Sequence, residues 1–278
     1  MAMIEILPPR LSKPDRDDLE RALALVERDS LASKLSRTLG GRVAWIGNRL
    51  PSGAKRAVAV ATEGALKAAL RMAVGTLRPQ AKTNKKPGIA SERWHKAAAA
   101  ASGAIGGAFG FAALAVELPV STTILLRSIA DIARSEGEDL SAPEGLLSCL
   151  EVFALGDEPG ESAIEGGYFA ARAMLAESVN ESARYLLRAG LSGETAPVVV
   201  RLVSQIAARF GVAVSEKVAA QAVPIVGAVG GAAINAAFAD HFQNLARGHF
   251  IIRRLERRYG ADLVQEECRR LTTLKKPV

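Results

Sequence analysis

Glu117 is the residue whose type and setting most suit chemistry in this chain. It interrupts the apolar run A-L-A-V-E-L-P-V two residues before Pro119, and a carboxyl buried there would have its pKa raised toward the range of a working acid. Ser121, Thr122 and Thr123 follow, with Arg127 ten residues on, so the plain alternative is an ion pair with an arginine or a cap on a helix opened by Pro119. Asp240, His241, Asn244 and His249 form a histidine-containing polar group. His241 and His249 are eight apart, about 12 Å along a helix, which is too far to ligate one metal. Asp240 and Asn244 share a helix face, so His241 or Asp240 could serve as a general base, and a solvent-facing or helix-packing role is the plain reading. Asn235, inside an apolar run, suits a hydrogen bond across a helix interface.

Nothing else in the chain spells out a reaction. P-loop, dinucleotide G-x-G-x-x-G, G-x-S-x-G and H-E-x-x-H patterns are all missing from the sequence. Cys149 and Cys268 are far apart and lack metal-site spacing, so both are expected reduced, with Cys149 in the core. Neither a cofactor nor a metal is expected. These patterns favour a non-enzymatic protein; the alternative is a hydrolase that takes a lipid or other apolar substrate near Glu117, Asn235 and His241.

The elements that must position these residues include two charge-free, glycine-rich segments, Ala97 to Val116 and Val218 to Ala239. Each has the length of a bilayer-crossing helix, roughly 20 residues, yet Ala and Gly gain little from lipid. Gly103 with Gly107, Gly106 with Gly110, and Gly227 with Gly231 repeat G-x-x-x-G, a spacing that lets helix backbones approach closely. Such faces fit a close-packed core, a hairpin that inserts into the membrane, or homo-oligomerisation. Basic charge flanks both segments. Arg78, Lys82, Lys85, Lys86, Arg93 and Lys96 stand against Glu92 before the first, and R-R-L-E-R-R, Arg253 to Arg258, follows the second. With a net charge of +7 and aromatics at only 5%, this arrangement points to an anionic membrane surface and makes nucleic acid an unlikely partner. Lys82, Lys85, Lys86, Arg93, Lys96, Arg253, Arg254, Arg257 and Arg258 are the expected lipid contacts.

Helical periodicity and caps divide the chain. Asp15 to Leu39 reads as one amphipathic helix, and Pro51-Ser52 opens a second that runs to about Leu77. In the second, Arg56, Glu63, Lys67, Arg71 and Arg78 fall within roughly an 80° arc. That distribution suits burial on most sides, or a membrane-surface helix. The run from about 78 to 90 reads as a basic linker. Ser91 caps the first apolar segment, Pro119 marks a break or a new first turn, and further helices span Pro143 to Leu155, Glu161 to Ala189, Pro197 to about Ala220, and on to Tyr259-Gly260 beyond an interruption at Pro224. The expected fold is all-α, a multi-helix bundle with the two Gly/Ala-rich segments packed centrally as hairpins. The N-terminus has no apolar signal region, so a cytoplasmic protein at the inner membrane face is expected.

Three stretches resemble the EcsC protein family: Ala113 to Leu140 continuing into C-L-E-V-F-A-L-G at Cys149 to Gly156; E-G-G-Y-F-A-A-R-A at Glu165 to Ala173; and Val223 to Phe238 continued by G-H-F-I-I-R-R-L-E-R-R-Y-G at Gly248 to Gly260. The resemblance implies a helical, membrane-linked bacterial protein, named after a component encoded beside an ABC transporter, and carries no agreed catalytic set. An ABC transporter or another envelope complex is therefore an expected partner. It divides the chain into an N-terminal helical region at 1–90, a family domain at 91–271 and a tail at 272–278.

Overall fold

The computed structural model describes residues 10–27, 30–38, 52–75, 114–155, 167–189, 196–221 and 227–275. Among them the regular elements are α1 Lys13–Val26, α2 Leu31–Thr38, α3 Ser52–Gly75, α4 Leu114–Ser135, α5 Pro143–Glu151 with a 3-10 turn at Val152–Ala154, α6 Ala170–Ala189, α7 Pro197–Gln221, α8 Gly227–Tyr259 and α9 Ala261–Lys275. No strand occurs among the described residues, and the chain is an all-α bundle.

Local sequence explains the ends of these helices. Ser12 caps α1 by accepting from the Asp15 backbone N–H at 3.4 Å, with Pro14 in the first turn. The single helix expected from Asp15 to Leu39 is instead two, because Ser30 opens a new one: its Oγ accepts from the Ser33 backbone N–H at 3.3 Å. Pro119 does not break α4. It lies at the sixth position, where it forgoes one backbone bond near the helix end, and the buried side chains of Leu118, Leu125 and Ile129 hold the helix on the core. Gly260, at φ +91°, ends α8 in a conformation that side chains rarely adopt, and α9 then runs to Lys275, past the boundary expected at 271.

At 33 residues, α8 is about 50 Å long and forms the axis of the bundle. It packs on α1, α2, α4, α7 and α9, while α3 packs on α4 and α7, and α5 on α4 and α6. One hydrophobic core joins Leu19 and Leu31 from the N-terminal helices to Leu66, Leu126, Leu147, Phe210 and Ile252. Phe153, Phe210, Phe238 and Phe242 meet at its centre, with ring centroids 4.7 to 6.0 Å apart.

α7 is long and apolar enough to cross a membrane, with a mean hydropathy of 1.5 in its most apolar window. Its exposed positions include Arg201, Ser204 and Gln205 as well as Ala208 and Val212. Two helices approach closely at Gly248, where α8 packs on α1. A Cβ there would lie 2.7 Å from Val26 Cγ2 and 2.8 Å from the Ala22 carbonyl oxygen. Gly248→Ala is therefore expected to destabilise the fold by about 1–3 kcal/mol in urea denaturation; a loss within error would mean the two helices separate at no cost.

Candidate functional site

Two buried polar centres lie on α8, roughly 20 Å apart along its axis. The first joins Glu117 at the start of α4, Lys217 near the end of α7 and Asn235 in the early turns of α8. Lys217 Nζ donates to Glu117 Oε1 at 2.7 Å, and Asn235 Nδ2 donates to the same oxygen at 3.1 Å. The Lys217 side chain is 0% exposed and that of Glu117 5%. Burial lowers the Lys217 pKa, which the Glu117 carboxylate opposes. The Phe238 ring adds a cation–π contact, 5.1 Å from Nζ to its centroid. Glu117 thus pairs with a lysine where the sequence suggested an arginine, and Asn235 makes the hydrogen bond across helices that its setting implied.

Lys217 was not foreseen. The available signal was that it is a lone cation in the run V-S-E-K-V-A-A bordering one apolar segment, just as Glu117 is a lone acid bordering the other. His241 does not join this centre. It lies six residues beyond Asn235, about 240° round the helix, and stacks edge-on against Phe242 at 5.1 Å. Asp240 pairs with Lys34 of α2 at 3.2 Å and accepts from Asn244 Nδ2 at 3.0 Å. Both residues act where α8 meets its neighbours.

The second centre is built by a π-type turn at 167–169, α5, α6, α8 and α9. Tyr168 and Arg172 are one turn apart, and His249 and Glu256 are two turns apart on one face of α8, so the pairs meet in register. The Tyr168 hydroxyl lies 2.9 Å from His249 Nδ1, and Arg172 Nη1 and Nη2 donate to Glu256 Oε1 and Oε2 at 2.8 Å each. Arg172 also donates to the Tyr168 oxygen at 3.4 Å, so the hydroxyl links the imidazole to the guanidinium. Burial first, then Arg172 and Arg253, hold His249 well below its ordinary pKa, so the ring is neutral. Its Nε2 is buried without a hydrogen-bond partner among the described residues.

Glu151, the last residue of α5, lies near this cluster and is 5% exposed. Burial pushes its carboxyl up to about 7, against the pull of Arg172 and Arg253. Cys268 of α9 is raised to about 12, mainly by burial, and both cysteines are free and buried. Tyr168 and His249 are fully enclosed, so the set clamps α6 onto α8 and leaves Glu151 as its one group that titrates near neutral pH.

Glu151, Tyr168, Arg172, His249 and Glu256 all come from the stretches C-L-E-V-F-A-L-G, E-G-G-Y-F-A-A-R-A and G-H-F-I-I-R-R-L-E-R-R-Y-G, which the fold gathers into one place. The profile of the EcsC protein family matches residues 18–255. The chain belongs to the EcsC protein family. In this EcsC chain the match begins inside α1 and takes in α2 and α3 as well, ahead of the boundary near 91 read from the sequence. No curated protein and no solved structure matches it.

The other expected residues of the EcsC chain divide sharply. The sequence set Arg253, Arg254, Arg257 and Arg258 against lipid; the fold sets them against acids of α1 and of the turn after α4. Arg253 Nε pairs with Glu138 at 2.7 Å and Arg257 with the same carboxylate, Arg254 pairs with Asp18 and with Glu136 at 2.8 Å, and Arg258 pairs with Asp15 at 3.0 Å. Tyr259 Oη also donates to Asp15 at 2.6 Å. Gly227 opens α8, and Gly231 one turn later is buried. Lys82, Lys85, Lys86, Arg93, Lys96, Gly103, Gly106, Gly107 and Gly110 lie outside the described residues.

Proposed function

We propose that this chain is a non-enzymatic helical protein that binds the anionic inner face of the cell membrane reversibly, as a peripheral or amphitropic partner of an ABC transporter or other envelope complex. The observation that carries the reading is the division of its charge. Arg253, Arg254, Arg257 and Arg258 of α8 are each paired with a carboxylate of α1 or of the turn after α4, whereas 76–113 holds six lysines and arginines against Glu92 alone. The helices bracketing that segment adjoin each other, with the Thr123 hydroxyl of α4 3.9 Å from Met72 Sδ of α3. Each basic residue near an anionic leaflet contributes about 1 kcal/mol. The transporter or envelope link rests on the family resemblance alone.

Glu117 and Asn235 meet, as a hydrolase centre there would need. The full burial of Lys217 and its bond to the same carboxylate oxygen favour a structural pair, and a structural pair suits the non-enzymatic reading. The test is flotation of the detergent-free protein with anionic and neutral vesicles at low and high salt. Salt-sensitive flotation with anionic vesicles is expected, and it should be lost in Lys82→Glu/Lys85→Glu/Lys86→Glu. Wild-type protein that floats with neither vesicle would overturn the proposal.

A further inference from the structure

We infer that the outward face of α3, continued by the adjoining face of α4, is the surface that lies on the bilayer, with anionic phospholipid headgroups as its ligand; this rests on the membrane reading above. α3 buries Val58, Ala65, Leu66, Ala69 and Leu70 against the bundle, so its opposite side faces out along about 36 Å of helix. That side is basic and apolar together. Arg56, Val60 and Arg71 fall within about 60° of one another round the helix and are all exposed, Val60 at 69%. The acid at its margin, Glu63, is paired with Lys67 at 2.6 Å.

The face continues onto α4 through the Thr123–Met72 contact. Met72 and Val120 are 48% and 47% exposed, and Arg127 stands two turns beyond Val120 on the same side of α4 and is exposed. Arg56 and Arg127 have no acidic partner among the described residues, in contrast to the arginines of α8. Exposed cations ringing exposed valine and methionine are the chemistry of an interfacial helix on an anionic leaflet, where apolar side chains enter the headgroup boundary and cations meet phosphate. The face is also continuous in sequence with the basic segment, which leaves from the end of α3 and returns at the start of α4.

The test uses the full chain and vesicles of phosphatidylcholine alone or with 30% phosphatidylglycerol. Arg56→Gln/Arg71→Gln/Arg127→Gln is expected to weaken binding to the anionic vesicles roughly 100-fold, about fivefold per charge removed, with circular dichroism and the unfolding midpoint unchanged. A second measurement is independent of those substitutions. An environment-sensitive fluorophore on Val60→Cys should shift to the blue when anionic vesicles are added, and one on Gln205→Cys, on the exposed side of α7, should not. The buried thiols of Cys149 and Cys268 leave the introduced cysteine as the one that reacts. If the wild type floats but the triple variant binds equally well and the Val60 probe stays silent, the membrane reading survives and α3 is not the surface. If the wild type does not float, both fall together.

Discussion

Lys217→Met is expected to cost about 3–5 kcal/mol of stability at neutral pH, because it leaves the Glu117 carboxylate enclosed with only Asn235 for company. Glu117→Gln/Lys217→Met should recover most of the stability: the amide oxygen still accepts from Asn235, and methionine fills the space beside Phe238 without a charge. Urea denaturation of the two single variants and the double variant supplies the cycle. If the single variant were no worse than the double one, water would have to reach the pair, and an open, chemically active centre would return to consideration.

Glu151 should make stability fall as the pH rises. Burial pushes its carboxyl up to about 7 in the folded chain, from an ordinary value of 4.5. A carboxyl raised in this way gives its full stability below the unfolded value, and that stability is lost as the pH rises through the folded one. The gap corresponds to about 3 kcal/mol lost between about pH 4.5 and 7 and absent above. His249 acts in the opposite direction, because a neutral buried imidazole resists acid. Wild-type stability alone would therefore mix the two. The difference between wild type and Glu151→Gln isolates the carboxyl, and it should move by about 3 kcal/mol across that window in favour of the wild type at the acid end. A flat difference would mean that the Glu151 carboxyl has the same pKa folded and unfolded, and so is open to water in the fold.

These two centres belong to the scaffold, apart from the surface proposed to meet the membrane. Both are enclosed and both join helices distant in sequence. Their breakage reads out as stability, whereas substitutions on the outward face of α3 should read out as vesicle binding with stability unchanged. The two sets of measurements thus separate the scaffold from the surface that it presents.

The sequence by itself determined the helical class and most helix positions. The 3.6-residue periodicity, Pro143 and Pro197 in first turns, and Gly260 as a terminator are local signals, and local backbone chemistry is what they control. It also marked Glu117 and Asn235 as polar residues at apolar helix contacts, because an acid or amide in such a run needs a partner whatever the fold. The partner itself lay beyond its reach. Lys217 is 100 residues from Glu117 and His249 is 81 from Tyr168, and periodicity says which face of a helix is buried without saying which helix it meets. The same limit hid the fate of Arg253 to Arg258. Their run of charge suggested lipid, and only the packing of α1 and the turn at 136–138 against α8 supplied the carboxylates that neutralise it. Conversely, the sequence confined the charges of α3 to one arc, which fitted a helix buried on its other sides or one lying on a membrane, and the tertiary structure supplied the helices, α4 and α7, that cover the apolar side.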